Sequence, residues 1–442
     1  MSRSLSQDAK LFLSSPNGKI AAAGLFLIPL DSAWFFPLST VYRPVWLVPF
    51  FLIGTLRIIV AGRLKKTDIA LLIAAAYAIL STVIATLYFS YPDLSGVIKT
   101  ITVLTIASVG TIGINHFFRS LSKIHGVMEA TRLIASLLVA ASIAPMTIGF
   151  IQLPGEILGY HAFNEAISSI FSYRYTPGRI HMMSGEPSWA ARYILFVLVI
   201  SIFTEARYVS TLRYGLLILL IFTGSALGIV TGAILIFAYF FINTHLTLKT
   251  FKNYCLVALA TALAAQNYEV LLGFSPYAID KLDKVWLLIS KISVEQIMEV
   301  AATDGSVLAR LMNPIIALEL ASAYPFGIGG ESFKFWIIDQ LYNYGYAGKA
   351  TDEYLLSAGS TPKLLIAKIA AELGLIALAM TVVIFIRIYL LLPDRRLRYL
   401  LLSAPIFTLS DDSYLFYGLL IPVCLSAMNI QKRCLPKKAT VL

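Results

Sequence analysis

Between Tyr173 and Trp189 the chain reads Tyr-Arg-Tyr-Thr-Pro-Gly-Arg-Ile-His-Met-Met-Ser-Gly-Glu-Pro-Ser-Trp. Two arginines (Arg174 and Arg179), His181 and Glu186 fall within 13 residues, immediately before a long apolar run. Arginine presents a planar fork of donors that grips phosphate at two points and stays ionised at any relevant pH. A diphosphate lying at a membrane surface is the anion such a pair suits. Glu186 precedes Pro187, which is tolerated in a helix's first turn, so the spacing predicts a carboxylate at a helix N-terminus. The plainer alternative for the same residues is a salt bridge within a loop that happens to precede a helix.

A second concentration lies further on. Arg310 is followed by Pro325-Phe326-Gly327-Ile328-Gly329-Gly330-Glu331, with three glycines in four residues. Such a backbone can turn sharply and approach a ligand closely, though most runs of this kind are simply turns. Tyr173, Tyr175 and Tyr324 offer rings that can stack on sugar faces. The chain carries no G-x-S-x-G elbow, no H-E-x-x-H, no P-loop and no D-x-D. Cys255, Cys424 and Cys434 have neither disulfide nor zinc spacing, and no metal or cofactor is expected.

The elements that must position these residues are apolar. Of 442 residues 58% are apolar and only 13% charged, outside the soluble range. Apolar runs fall at about 20–37, 45–62, 69–90, 97–118, 130–152, 189–205, 214–224, 226–242, 254–273, 364–392, 399–410 and 413–429. Most match the thickness of a bilayer core. Two stretches are ambiguous: 214–243, with Thr223-Gly224-Ser225 inside it, and 399–429, interrupted by Asp411-Asp412. The expected architecture is an all-α polytopic membrane protein of about twelve transmembrane helices. Five spans occupy 1–152, a first long outer loop 153–188, central spans 189–273, a second long outer loop 274–363, and final spans with a tail 364–442. In that second loop the stretch from Asp280 to Leu320 alternates apolar and polar residues at helical spacing, as an amphipathic surface helix does. Asp31, near the outer half of the first run, is a costly intramembrane carboxylate.

Charge orients this layout. The chain has 35 basic and 24 acidic residues, a net charge of +11. The basic residues clump between apolar runs, which argues against nucleic acid as a partner. With twelve spans and both termini inside, twenty basic residues fall on the inner side, among them Arg207, Arg213, Arg395, Arg396 and Arg398. Reading 214–243 as one span would put the last three outside, against the positive-inside rule.

Taken together, these residues resemble the Wzy-type O-antigen or exopolysaccharide polymerases, with the WaaL-type O-antigen ligases as cousins. The resemblance rests on Arg174 followed by ten residues and Gly185, on Arg179 with Gly185-Glu186-Pro187-Ser188 before a span, and on Arg310 with Pro325-Phe326-Gly327-Ile328-Gly329. Pro29-Leu30-Asp31 and the final hairpin around Asp411-Ser413 also fit. One departure stands out: the first glycine after Arg310 is Gly327, so a second arginine-ten-glycine spacing is missing. The resemblance implies a GT-C-like glycosyltransferase at the periplasmic face of a bacterial inner membrane. It would move a glycan from undecaprenyl diphosphate to the terminal sugar of another undecaprenyl-diphosphate-linked unit, without a metal and with inversion. A chain-length regulator and a flippase would be its partners. Under that reading Arg174, Arg179 and Arg310 hold the diphosphate, and Tyr324, Gly327 and Gly329 shape the sugar site. Glu186 is the first choice of base and His181 the second.

A WaaL-type ligase and a secondary transporter are the alternatives. Transporters carry repeats and charges buried at mid-membrane, whereas the surplus polar residues here gather in two outer loops. The charge count makes a direct prediction. With the three native cysteines replaced, a cysteine at Ser293 should react with an impermeant thiol reagent from outside and one at Leu397 should not. The reverse pattern overturns the twelve-span count.

Overall fold

The computed structural model describes residues 14–30, 44–61, 64–91, 94–171, 175–204, 208–243, 305–344, 361–409 and 413–430. Asp31, Tyr173, Arg174, Asp411-Asp412, the apolar run 254–273 and the stretch from Asp280 to Asp304 lie outside the described residues. All regular structure among the described residues is helical. The chain is membrane-embedded by composition, and among the described residues four stretches are long and apolar enough to cross a bilayer: Lys66–Tyr88, Ser95–His125, Val127–Ile157 and Leu365–Leu391. Shorter apolar helices include Pro187–Ser201, Tyr208–Phe222 and Tyr417–Ile430.

Glycine, proline and serine set the breaks. The 30-residue apolar stretch 214–243 divides at Thr223-Gly224-Ser225, where Gly224 takes a φ of 56°. Two helices result, Tyr208–Phe222 and Ala226–Asn243. The stretch 399–429 likewise divides into Arg395–Phe407 and Tyr417–Ile430. Pro145 has no N–H and its ring crowds the carbonyl four residues back, which explains why Val127–Ile157 is interrupted at Ser142.

The chain forms two compact units. The first comprises Met1–Pro49, Phe117–Trp286 and Leu392–Ser403. Its helices are α1 (Pro16–Phe26), α5 (Val127–Ala141), α6 (Ile143–Ile157), α7 (His161–Phe171), α8 (Pro187–Ser201), α9 (Tyr208–Phe222) and α10 (Ala226–Asn243). Helix α8 is its centre. Twelve of its 15 residues are buried, because α5, α9 and α10 pack around it. A helix buried around most of its circumference is a core helix, and α8 takes Arg192 into the interior with its apolar residues. Gly228 and Gly232 of α10 lie against Ala191 and Leu195 of α8 and let the two helices close up.

The second unit comprises Phe50–His116, Leu287–Leu391 and Ala404–Leu442. It contains most of α2 (Val48–Ala61), α3 (Lys66–Tyr88) and the first two-thirds of α4 (Ser95–His125). It continues with α11 (Gly305–Ala323), α12 (Ile337–Asn343), α13 (Leu365–Lys368), a π-helical turn Ile369–Leu373, α14 (Gly374–Leu391) and α16 (Tyr417–Ile430). Helix α15 (Arg395–Phe407) passes from the first unit into the second. Helix α11 supplies regular structure inside the expected second outer loop, and its buried face (Met312, Ile316, Leu320) packs with Ile328, Phe333 and Ile337.

Leu397 is fully buried whereas its neighbour Arg396 is exposed, so the second cysteine probe belongs at Arg396. Packing supplies a second prediction. A Cβ at Gly113 would overlap the backbone carbonyl of Phe50, and one at Gly54 would overlap that of Val109. Backbone cannot step aside as a side chain can. Gly113→Ala should therefore cost about 1–3 kcal/mol, the usual penalty of overpacking. Melting of the purified protein in detergent checks this, and an unchanged midpoint rules out so close a contact of α2 with α4.

Candidate functional site

The residues between α7 and α8 are held by polar groups buried in the first unit. Gln152 and Glu156, one turn apart on α6, face Asn164 and Ser168, one turn apart on α7. The Asn164 amide donates to the Glu156 carboxylate (2.7 Å) and to the Gln152 carbonyl (2.8 Å), and the Gln152 amide donates to the Ser168 hydroxyl (3.2 Å). Gly155 is needed here because a Cβ would strike the Asn164 side chain.

Glu156 then reaches the loop. It accepts from the Tyr175 hydroxyl (2.6 Å) and from the backbone N–H of Gly178 (2.7 Å). His161 Nδ1 lies 3.4 Å from the same carboxylate. Burial, and then the bond to Glu156, push the Tyr175 phenol up, so its proton stays in place as a donor. Gln152 adds a second clasp, with its Oε1 accepting from Met182 N–H at 2.8 Å. Met182 needs one, since its φ of 55° is left-handed and costly for a side-chain-bearing residue.

Three of the expected residues sit on this loop. The Nε of Arg179 donates to the carbonyl of Thr223 (2.7 Å), and Ile180 N–H donates to that of Phe222 (3.0 Å). Arg179 thus caps the C-terminal end of α9, where helix carbonyls lack partners and a positive charge meets the dipole. His181 is buried, and its Nε2 accepts from Thr176 N–H at 3.0 Å. The ring proton is therefore on Nδ1, which has no partner among the described residues. Burial, reinforced by the nearby Arg179 charge, lowers the His181 pKa to about 4, so the ring is neutral at pH 7. The lone pair that a general base needs is already engaged by Thr176.

Glu186 is the N-cap residue of α8, with Pro187 at the first helical position. Its backbone carbonyl accepts from Trp189 and Ala190, and among the described residues its half-buried side chain accepts a long bond from Ser188 Oγ (3.2 Å). Glu165 on α7 is exposed, Glu186 is half-buried, and Glu156 is buried and held by three donors. Glu156, Gln152 and Asn164 were missed in the sequence. Their signal was two polar pairs at four-residue spacing beside Pro154-Gly155, in or next to apolar runs.

The other expected residues belong to the second unit. Arg310 is exposed on α11. Tyr324 packs against Phe89 (5.3 Å between centroids) and Trp336 (4.9 Å). The glycine turn faces the chain's own backbone: Ile328 N–H donates to Ala371 (2.8 Å) and Gly329 N–H to Glu372 (2.9 Å). Both acceptors lie in the π turn, whose widened spacing leaves carbonyls in need of donors. Gly327 and Gly329 have φ of 89° and 93°, and a Cβ on Gly327 would lie 2.5 Å from the Glu372 carbonyl. Close backbone approach is their evident use.

At the end of this turn stands an ionic cluster that sequence reasoning also missed. Glu331 lies between Lys99 of α4 (2.5 Å) and Lys368 of α13 (2.7 Å). Lys368 is almost fully buried and Lys99 half-exposed. Among the described residues no group of His, Cys, Asp and Glu can hold a metal ion. Compared with known proteins, the chain matches no family model and no curated sequence.

Burial alone would raise the Glu331 pKa, but the two ammoniums outweigh it and bring it down to about 2. A folded pKa below the unfolded value of 4.5 contributes stability that is present above pH 4.5 and lost as pH falls toward 2. Glu331→Gln leaves a buried lysine short of its counterion and should cost about 3 kcal/mol at pH 7. The gap to wild type should close on acidification below pH 4.5. Denaturation midpoints across pH 2–7 check this; a pH-independent gap would deny the ion pairs their role.

Proposed function

We propose that this chain is a bacterial inner-membrane glycosyltransferase of the polymerase kind. It moves a glycan from undecaprenyl diphosphate to a sugar hydroxyl of a second undecaprenyl-diphosphate-linked unit, at the outer face of the membrane, within a twelve-span topology. The observation that carries this reading is the half-buried Glu186 carboxylate at the start of the core helix α8, on the same short loop as Arg179. The likeness of Arg174…Gly185-Glu186-Pro187-Ser188 to the polymerases supports it.

The chemistry is a single displacement. The acceptor oxygen forms a bond to the anomeric carbon while the bond from that carbon to the diphosphate oxygen breaks. The acceptor proton passes to Glu186, and undecaprenyl diphosphate leaves with the electron pair. A positioned base near the attacking hydroxyl and a fixed positive charge near the departing diphosphate are the two requirements. The loop carries both residue types. With its lone pair committed to Thr176, His181 is better suited to holding the loop than to taking the proton.

Glu186→Gln keeps shape and hydrogen bonding but removes basicity, so turnover should fall by roughly 10²–10⁴-fold, as for general bases, with donor binding little changed. Polymer formed per mole of monodisperse protein is the measurement, and near-normal specific activity would remove Glu186 from the mechanism. Arg179→Lys should be nearly as damaging as Arg179→Ala. A lysine keeps the charge but cannot cap Thr223 and present a flat fork of donors at once. Wild-type polymer synthesis from the lysine variant would reduce Arg179 to a simple positive charge.

A further inference from the structure

Helix α7 is amphipathic in an unusual sense. Its polar residues Asn164 and Ser168 are buried (0% and 1% exposed), while Phe163 and Ile170 stand out at 51% and 58%. In water this is the wrong way round, since apolar side chains are the ones that burial favours. Successive residues turn by about 100° around a helix, which sorts α7 into three sectors about 120° apart. Asn164, Ser168 and Phe171 form the sector against α6, where Gln152 and Glu156 meet the two polar side chains. Phe163, Ala166, Ile167 and Ile170 form an apolar stripe two turns long. Ala162, Glu165 and Ser169 form a third, weakly polar and exposed sector.

A helix has three such environments when it lies flat at a bilayer surface beside the rest of its protein: one side on protein, one in lipid and one in water. The flanking chain agrees. Helix α6 belongs to the candidate span Val127–Ile157, and its exposed apolar residues Phe150, Ile151 and Ile157 lead directly into the turn Leu158-Gly159-Tyr160. Leu158 (65% exposed) and Tyr160 (64%) crown that turn, and tyrosine is the residue type that gathers at membrane–water boundaries.

We propose that α7 is an in-plane helix seated at the boundary between headgroups and acyl chains, with Phe163 and Ile170 in lipid and Glu165 and Ser169 toward water. Its occupant is the phospholipid bilayer itself. Residues 161–171 are therefore part of the membrane surface and not an open aqueous loop. Because Asn164 bonds to Glu156, which in turn holds Tyr175 and Gly178, the seated helix also fixes the depth of the loop carrying Arg179 and Glu186. The seating needs only a membrane-embedded chain and does not rest on the proposed reaction.

The test uses the full-length protein, with native cysteines replaced, in vesicles of phosphatidylcholine and phosphatidylglycerol. Single cysteines at Phe163, Ile170, Glu165 and Ser169, all exposed positions, carry a bimane label. Brominated acyl chains should quench the labels at 163 and 170 at least twofold more than those at 165 and 169, and aqueous iodide should show the opposite order. Iodide quenching all four alike would place α7 in water and overturn the proposal. So would protection of 163 and 170 from both quenchers, which would mean that protein, from this chain or a second copy, covers the stripe. Neither readout involves catalysis, so an inactive but correctly seated protein would discredit the proposed reaction and leave the seating intact.

Discussion

A backbone carbonyl buried without a donor costs several kcal/mol in a membrane-embedded chain, because no water arrives to satisfy it. Three arginines answer that need at helix ends. Arg179 donates to Thr223 after α9, Arg213 to Ser201 at the end of α8, and Arg398 to Leu392 after α14. Each places a fixed positive charge where the helix dipole is negative. In the second unit the same need arises at the π turn, and backbone N–H groups of Ile328 and Gly329 meet it. The glycine turn is thus a structural partner of the π turn, whatever else it does.

These caps explain why the candidate loop has a defined shape. Arg179 and Ile180 fasten its middle to the end of α9, while Glu156 and Gln152 fasten its flanks to α6. Met182 is held in a left-handed conformation between them. Such strain persists only where the surroundings over-determine it. Glu186 then follows at the start of the core helix, where its backbone carbonyl accepts two helix N–H groups and its side chain accepts from Ser188.

Charge is handled differently in the two units. Glu156 is held by hydrogen bonds from an amide, a phenol and a backbone N–H. Glu331 is neutralised by two ammoniums. The first arrangement orients its donors closely, since each has one geometry. The second holds three chain segments together by Coulomb attraction in a poorly solvated place, where such attraction is strongest.

Composition and apolar periodicity alone determined that this chain is helical and membrane-embedded. Local punctuation determined the breaks: Thr223-Gly224-Ser225 divides one long apolar run and Pro187 opens α8. These are short-range effects, settled by backbone sterics and solvent. Tertiary structure decided what each polar side chain does. Nothing in the run from Tyr173 to Trp189 says that Arg179 caps a helix 44 residues away, or that the lone pair of His181 goes to Thr176. Glu331 finds Lys99 across 232 residues and Lys368 across 37. Helix α7 looks like a loop segment until its buried face proves to be polar. Roles of this kind depend on which donors and acceptors packing brings within 3 Å, and no local pattern encodes that.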